Sequence, residues 1–161
     1  MSELRALMRS HPYAGTVTWI GLRSERLAPI HVAEEAEINL MGLKGDHHSA
    51  QSPRALTLIQ AEHLPVIAAL TRTEITPEML RRNIVISGIN LTALRHDTLQ
   101  LGTAQIKLTK PCAPCSRMER TIGPGGYNAM RGHGGWYAEV ITPGHVTLHD
   151  NLDPIPQTEA E

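Results

Sequence analysis

"DTLQLGTAQIKLTK", residues 97–110, sets two short runs of alternating apolar side chains on either side of a glycine-containing turn. Alternation at every second position is the signature of a half-buried strand, and a connection as short as "LGTA" joins antiparallel neighbours, since a parallel pair needs a crossover. Similar runs occur at "GTVTWIGLRS" (15–24), where Val17 and Trp19 alternate with Thr16 and Thr18, and at 36–41, 54–60 and 83–88. Others follow at 136–142 and 145–152, separated by "TPGH". Two helices interrupt them, 61–71 and 76–82, the second with Thr76 as N-cap and Pro77 at the first helical position. The pattern predicts one mixed β domain over 1–161, with its core at about 15–151, built as a barrel or sandwich. Residues 152–161 read as a loose tail.

Composition narrows the function classes. A length of 161 residues suits one core, and a net charge of −1 provides no broad attraction to nucleic acid or anionic lipid. Phe is absent and aromatic residues are 3%, so base-stacking platforms are not expected and the core must be aliphatic. The opening "MSELRALMRSHPY" has no signal-peptide apolar stretch and no run spans a membrane, so a soluble cytoplasmic protein is expected.

Both cysteines fall in "KPCAPCSRMERTIGPGGYNAMRGHGG", 110–135. A dithiol redox pair, a zinc half-site completed by His47, His48 or His133, a pair of small buried residues, and a single working thiolate are the alternatives. A thioredoxin-like pair would open a long helix with further βα units, whereas here a Gly-rich loop and two strand-like runs follow. Zinc lacks a regularly spaced second pair. If a short helix begins at Ser116, its amides and Arg117 favour a thiolate at Cys115, a soft ligand for a transition metal. The glycines allow close approach to a ligand beside Tyr127, Asn128, Arg131 and His133. Lys44, Asp46, His47 and His48 share a second loop. Arg81, Arg82 and Asn83 sit where a helix gives way to a strand, and helix periodicity of about 100° per residue lets only one of the two arginines face a pocket squarely. Thiolate, cations and glycines together suit an anionic, metal-bearing organic cofactor.

The ordered set "KGDHH…TLIQAEHL", "LRRNIVISGINL", "LGTAQIKLTKPCAPCSRM" and "GGYNAMRGHGGWYAEVITPG" resembles the MOSC domain family, named for the C-terminal domain of molybdenum cofactor sulfurase. The resemblance covers about residues 15–151. It implies a mainly β (α+β) fold, a barrel of mostly antiparallel strands with a few short helices, binding a molybdopterin-type molybdenum cofactor. Cys115 matches the family cysteine, as molybdenum ligand or sulfur carrier, and Cys112 is an extra carried by a subset. The family's Asp-x-His falls on Asp46 and His48, its Arg/Asn motif on Arg82 and Asn83, and its Gly-rich return on Gly132 to Gly135. Ala50 stands where a Gly is usual.

By that resemblance Cys115, Asp46 and His48 are the catalytic candidates, the last two for proton delivery. Lys44, Arg81, Arg82, Asn83, Ser116, Arg117, Arg131, His133 and Gly134 are the cofactor-binding candidates. The expected activity is reduction of small N-hydroxylated compounds. The chain has no nucleotide-binding glycine motif and too few cysteines for a cluster of its own, so electrons would come from a separate flavin and iron–sulfur or cytochrome partner. The alternative is a carrier of persulfide or cofactor without turnover. Neither nucleic acid nor membrane is an expected partner, and homodimerisation is left open.

Overall fold

The computed structural model describes residues 2–47 and 50–157. In chain order the elements are α1 (Glu3–Met8), β1 (Gly15–Leu22), β2 (His31–Ala33), β3 (Glu35–Asn39), β4 (Gly42–Leu43), β5 (Leu56–Gln60), α2 (His63–Thr71), α3 (Pro77–Leu80), β6 (Ile84–Ser87), β7 (Thr98–Leu101), β8 (Ala104–Pro111), α4 (Ser116–Ile122), α5 (Gly126–Met130), β9 (Trp136–Thr142), β10 (Gly144–Thr147) and β11 (Asn151–Pro154). The hairpin that opened the sequence reading is β7–β8, antiparallel from Thr98 opposite Lys107 to Leu101 opposite Ala104.

The strands run β11-β7-β8-β9-β5-β6-β1, and β11 also pairs with β1, which closes a seven-stranded barrel. Closure leaves no free edge among those strands. β2 lengthens the sheet on β1, and β10, β3 and β4 form a separate three-stranded sheet. Among the described residues one barrel pairing is parallel, β5 with β6. A parallel pair requires a crossover, and here it carries α2 and α3. None of the helices is long and apolar enough to cross a membrane.

This crossover explains why β5 is buried at all five positions. Leu56 and Leu58 belong to the barrel core with Val17, Ile20, Ile84, Ile86 and Ile106, whereas Ile59 faces a second apolar cluster with Ile67, Leu80, Val85, Met118 and Met130. The second cluster seats α2–α5 on the outside of the barrel.

Four expectations change. Trp19 does not share the face of Val17: a bulge between Val17 and Trp19 shifts the phase, so Val17 and Ile20 point into the barrel and Trp19 packs on the outer cluster. The run 145–152 is two strands in two sheets, broken at His149 with φ +74°, where the Asp150 carboxylate accepts from the Thr147 N–H at 2.8 Å. Leu152 to Pro154, read as part of the tail, pair with β7. The helix expected to reach 82 stops at Leu80, because Arg81 is left-handed with φ +58°.

One buried side chain ties these pieces together. Asn83, 1% exposed, accepts at Oδ1 from the Thr57 N–H (3.1 Å) and hydroxyl (3.2 Å), and donates from Nδ2 to the Gly21 carbonyl (3.2 Å) and Asp46 Oδ2 (3.1 Å). The amide thereby bonds β1, β5 and the loop after β4 at the entry to β6. Asn83→Ala leaves those buried groups unpaired and is expected to cost about 3 kcal/mol or more, read as a lowered urea midpoint. Asn83→Asp should be no better, since a carboxylate cannot donate to Asp46.

Candidate functional site

Outside the barrel, a cavity of about 500 Å³ lies between the end of α3, the start of α4 and the loops after β1 and before β5. Its described lining includes seven arginines, Arg23, Arg26, Arg54, Arg81, Arg82, Arg117 and Arg120, with His47 and no Asp or Glu. A chain with 15 Lys and Arg and a net charge of −1 has gathered seven of those cations in one place, so its positive potential is local.

Backbone geometry brings the arginines in. Because Arg81 is left-handed, the helical offset between it and Arg82 is lost, and both line the cavity, where helix periodicity had allowed only one. Arg82 is 8% exposed and donates from Nε to the Gly134 carbonyl and from Nη1 to the Leu80 carbonyl, both at 2.8 Å. Arg81 donates from Nη2 to the Ala28 carbonyl at 2.8 Å. Burial, then the charges of Arg117 and Arg23, lower the pKa of Arg81, with Asp46 opposing.

Three guanidinium nitrogens stay buried without a hydrogen-bond partner: Arg23 Nε, Arg81 Nε and Arg82 Nη2. The nearest carboxylate oxygen to Arg23 Nε, Asp46 Oδ1, is 3.9 Å away, an ion-pair distance and too long for a hydrogen bond. Unpaired donors on clustered cations are an unmet demand for an anion. At the same cavity Cys115 is exposed and ends an extended residue at the start of α4, its carbonyl accepting from the Met118 N–H at 2.9 Å. A soft thiol beside anion-seeking guanidiniums fits a phosphate-bearing cofactor with a transition metal.

Cys112 is buried and lies against Tyr137. Burial first, and then Cys112 by charge and hydrogen bond, raises the pKa of the Tyr137 phenol, against Arg54 and Arg82, which favour the phenolate. Arg54 Cζ lies 5.2 Å and Lys110 Nζ 5.8 Å from the Tyr137 ring centroid. The two cysteines thus occupy different surroundings, and among the described residues no three His, Cys, Asp or Glu side chains cluster as a metal site.

The remaining candidates divide. Ser116 and Arg117 line the arginine cavity with Cys115, Arg81 and Arg82. Asp46 has a buried side chain, 0% exposed: Oδ1 accepts from the Arg23 N–H at 2.7 Å and Oδ2 from Asn83. Asn83 is the clasp described above and is absent from the described cavity lining. Lys44 points away, exposed, with Nζ 3.4 Å from Glu37 Oε2. His48 lies outside the described residues. Arg131 and Gly134 line a second cavity, and His133 packs its Nδ1 3.1 Å from the Ala129 carbonyl and its ring edge-on to His63. Gly134 and Gly135 serve packing: a Cβ would strike the Cys112 carbonyl at the first and the Leu58 carbonyl at the second, where φ is +87°.

Arg23, Arg26, Arg54, Arg120 and Tyr137 escaped the sequence reading. For Arg120 a signal existed: it follows Arg117 by three residues, which puts both on one helix face.

With this geometry in view, the model of the MOSC domain family matches residues 44–153. The chain belongs to the MOSC domain family. Its fold is also similar to solved structures: YuaD from Bacillus subtilis (TM-score 0.74, 17% identity, covering 87% of this chain and 94% of that one) and YiiM from Escherichia coli (0.67, 21%, 90% and 72%). YiiM from Geobacillus stearothermophilus is comparable (0.73, 15%, 88% and 75%). No curated protein sequence matches significantly. The MOSC match takes in Cys115 and most of the arginines but begins after Arg23 and Arg26, which the barrel strand β1 brings to the site.

Across the site, the Glu119 carboxylate clamps the next loop, accepting from the Tyr127 N–H at 2.8 Å and the Gly125 N–H at 2.7 Å, and these bonds lower its pKa. A folded pKa below the unfolded one means that the clamp is complete above the ordinary value of 4.5 and is lost as pH falls through the lowered value. The amide shifts of Tyr127 and Gly125 should therefore titrate below pH 4.5, and Glu119→Gln should abolish that titration.

Proposed function

We propose that the arginine cavity seats a molybdopterin-type molybdenum cofactor, with Cys115 as its protein ligand, for the reduction of small N-hydroxylated compounds. The observation that carries the reading is the lining itself: seven arginines, three with unpaired buried nitrogens, around one exposed thiol and no acidic residue among those described.

When bound, such a cofactor supplies oxygen-atom and electron transfer at its metal. The chain's own residues supply the rest. Arg81, Arg82 and Arg117 neutralise the phosphate, with forked contacts better matched to its oxygens than a lysine would make. Arg23 is aimed by Asp46, which holds its N–H; the carboxylate is a positioning group here. Cys115 offers a soft protein ligand next to those cations. Converting N–OH to N–H and water consumes electrons and protons in equal number. His47 lines the cavity and is placed to carry protons, the task the resemblance gives to Asp46 or His48. Electrons come from a separate flavin and iron–sulfur or cytochrome protein, because this chain has only two cysteines.

A second reading, carriage of sulfur as a Cys115 persulfide or delivery of cofactor, is favoured by the exposure of that thiol. Expression in a host that makes the cofactor, followed by metal analysis of wild type, Cys112→Ala and Cys115→Ala, separates the two. Near-stoichiometric Mo in wild type and Cys112→Ala, lost or altered in its coordination in Cys115→Ala, with benzamidoxime reduced by the loaded protein and an electron donor, is the expected result. Zinc lost equally from both variants overturns the reading. A persulfide on Cys115 with no turnover replaces it with the carrier.

A further inference from the structure

A second cavity, of about 430 Å³, shares Cys112 and Ala113 with the arginine cavity but does not include Cys115. Segment 111–115 is the wall between them. The two linings differ in kind. Against seven arginines on one side, Arg131 is the one permanent charge among the described residues on the other. Arg131 is exposed and makes no ion pair among the described residues.

The rest of the second cavity is mostly apolar or ring-bearing, with Gln60 and Thr92 as its uncharged polar groups. The Trp136 indole donates from Nε1 to Thr92 Oγ1 at 3.4 Å, and its side chain lines the cavity while packing against the barrel core. Tyr127 is 41% exposed at the opening. Gln60, 8% exposed, accepts at Oε1 from the Leu91 N–H at 2.9 Å, and its amide group remains to donate. His63 adds a third ring. Burial first, then the His133 ring 5.4 Å away, lower its pKa against Glu62 and so favour the uncharged ring. A concave, mostly apolar space of this size with a few polar groups is the usual form of a small-molecule site.

We infer that this cavity binds a flat, ring-bearing organic monoanion, its carboxylate on Arg131 and its ring against Trp136 and Tyr127. A polyanion finds too little charge there, and a neutral aliphatic molecule would leave the guanidinium unused. The inference does not rest on what fills the arginine cavity.

The chain has two tryptophans, and only Trp136 lines this space, so the indole N–H resonances report on site and control at once. 2-Naphthoate is titrated into 15N-labelled protein, with 2-naphthamide as its uncharged counterpart. The Trp136 resonance is expected to shift saturably while that of Trp19 stays, with naphthoate bound at least about tenfold more tightly than the amide. Arg131→Gln should erase that preference, and Arg117→Gln should leave it intact. An unmoved Trp136 resonance at millimolar naphthoate, equal binding of acid and amide, or binding lost in Arg117→Gln but kept in Arg131→Gln each overturns the inference.

Discussion

The amide of Asn83 is the contact on which both barrel and site depend. It reaches β1 through Gly21, β5 through Thr57 and the loop after β4 through Asp46. Inside a low-dielectric core a fully satisfied polar group is worth more than in water, and a half-satisfied one is costly. The network therefore admits one arrangement of three segments. Asp46, held by that amide, holds the backbone of Arg23 at 2.7 Å. Register in the core is thus converted into the position of a cation at the surface cavity.

That cavity works against the stability of the chain that forms it. Burial, and then like charges pressed close to it, lower the pKa of Arg81. Part of the cost is offset by backbone carbonyls: Ala28 for Arg81, and Leu80 and Gly134 for Arg82. Those acceptors orient the guanidiniums but carry no net charge, so the repulsion among them stays. An anion that met the three unpaired nitrogens would relieve repulsion and desolvation at once. Asp46, 3.9 Å from Arg23 Nε, opposes that repulsion but lies outside the described lining, and the three nitrogens remain without a hydrogen-bond partner.

Local features of the fold were legible in the sequence and non-local ones were not. β7–β8 was readable because both strands and their turn lie within fourteen residues, 97–110. The break at His149 did leave a mark: in "HVTLHDNL" the apolar alternation of Val146 and Leu148 fails at Asp150, inside the polar run "HDN". The bulge after Val17 leaves no mark in composition. At the site, Cys115, Arg82 and Arg117 could be picked out by residue type and by resemblance. Asp46 and Asn83 carry the same motif signal as a ligand set, yet the structure uses them on each other. Residue identity announces polar chemistry; only the contact shows whether the partner is a ligand or another strand.

The wall between the two cavities belongs to both linings. Its path is set by backbone: the Cys112 N–H donates to the Gly135 carbonyl at 2.8 Å, and Gly134 sits against the Cys112 carbonyl where any side chain would collide. The same glycine's carbonyl accepts from Arg82 Nε. Gly134 thus supports the wall from one cavity and an arginine of the other, so a shift of segment 132–135 displaces both. With Cys112 buried in that wall and Cys115 beyond it on the exposed side, the two thiols divide the work of the motif: the first belongs to the partition, and the second faces the arginines.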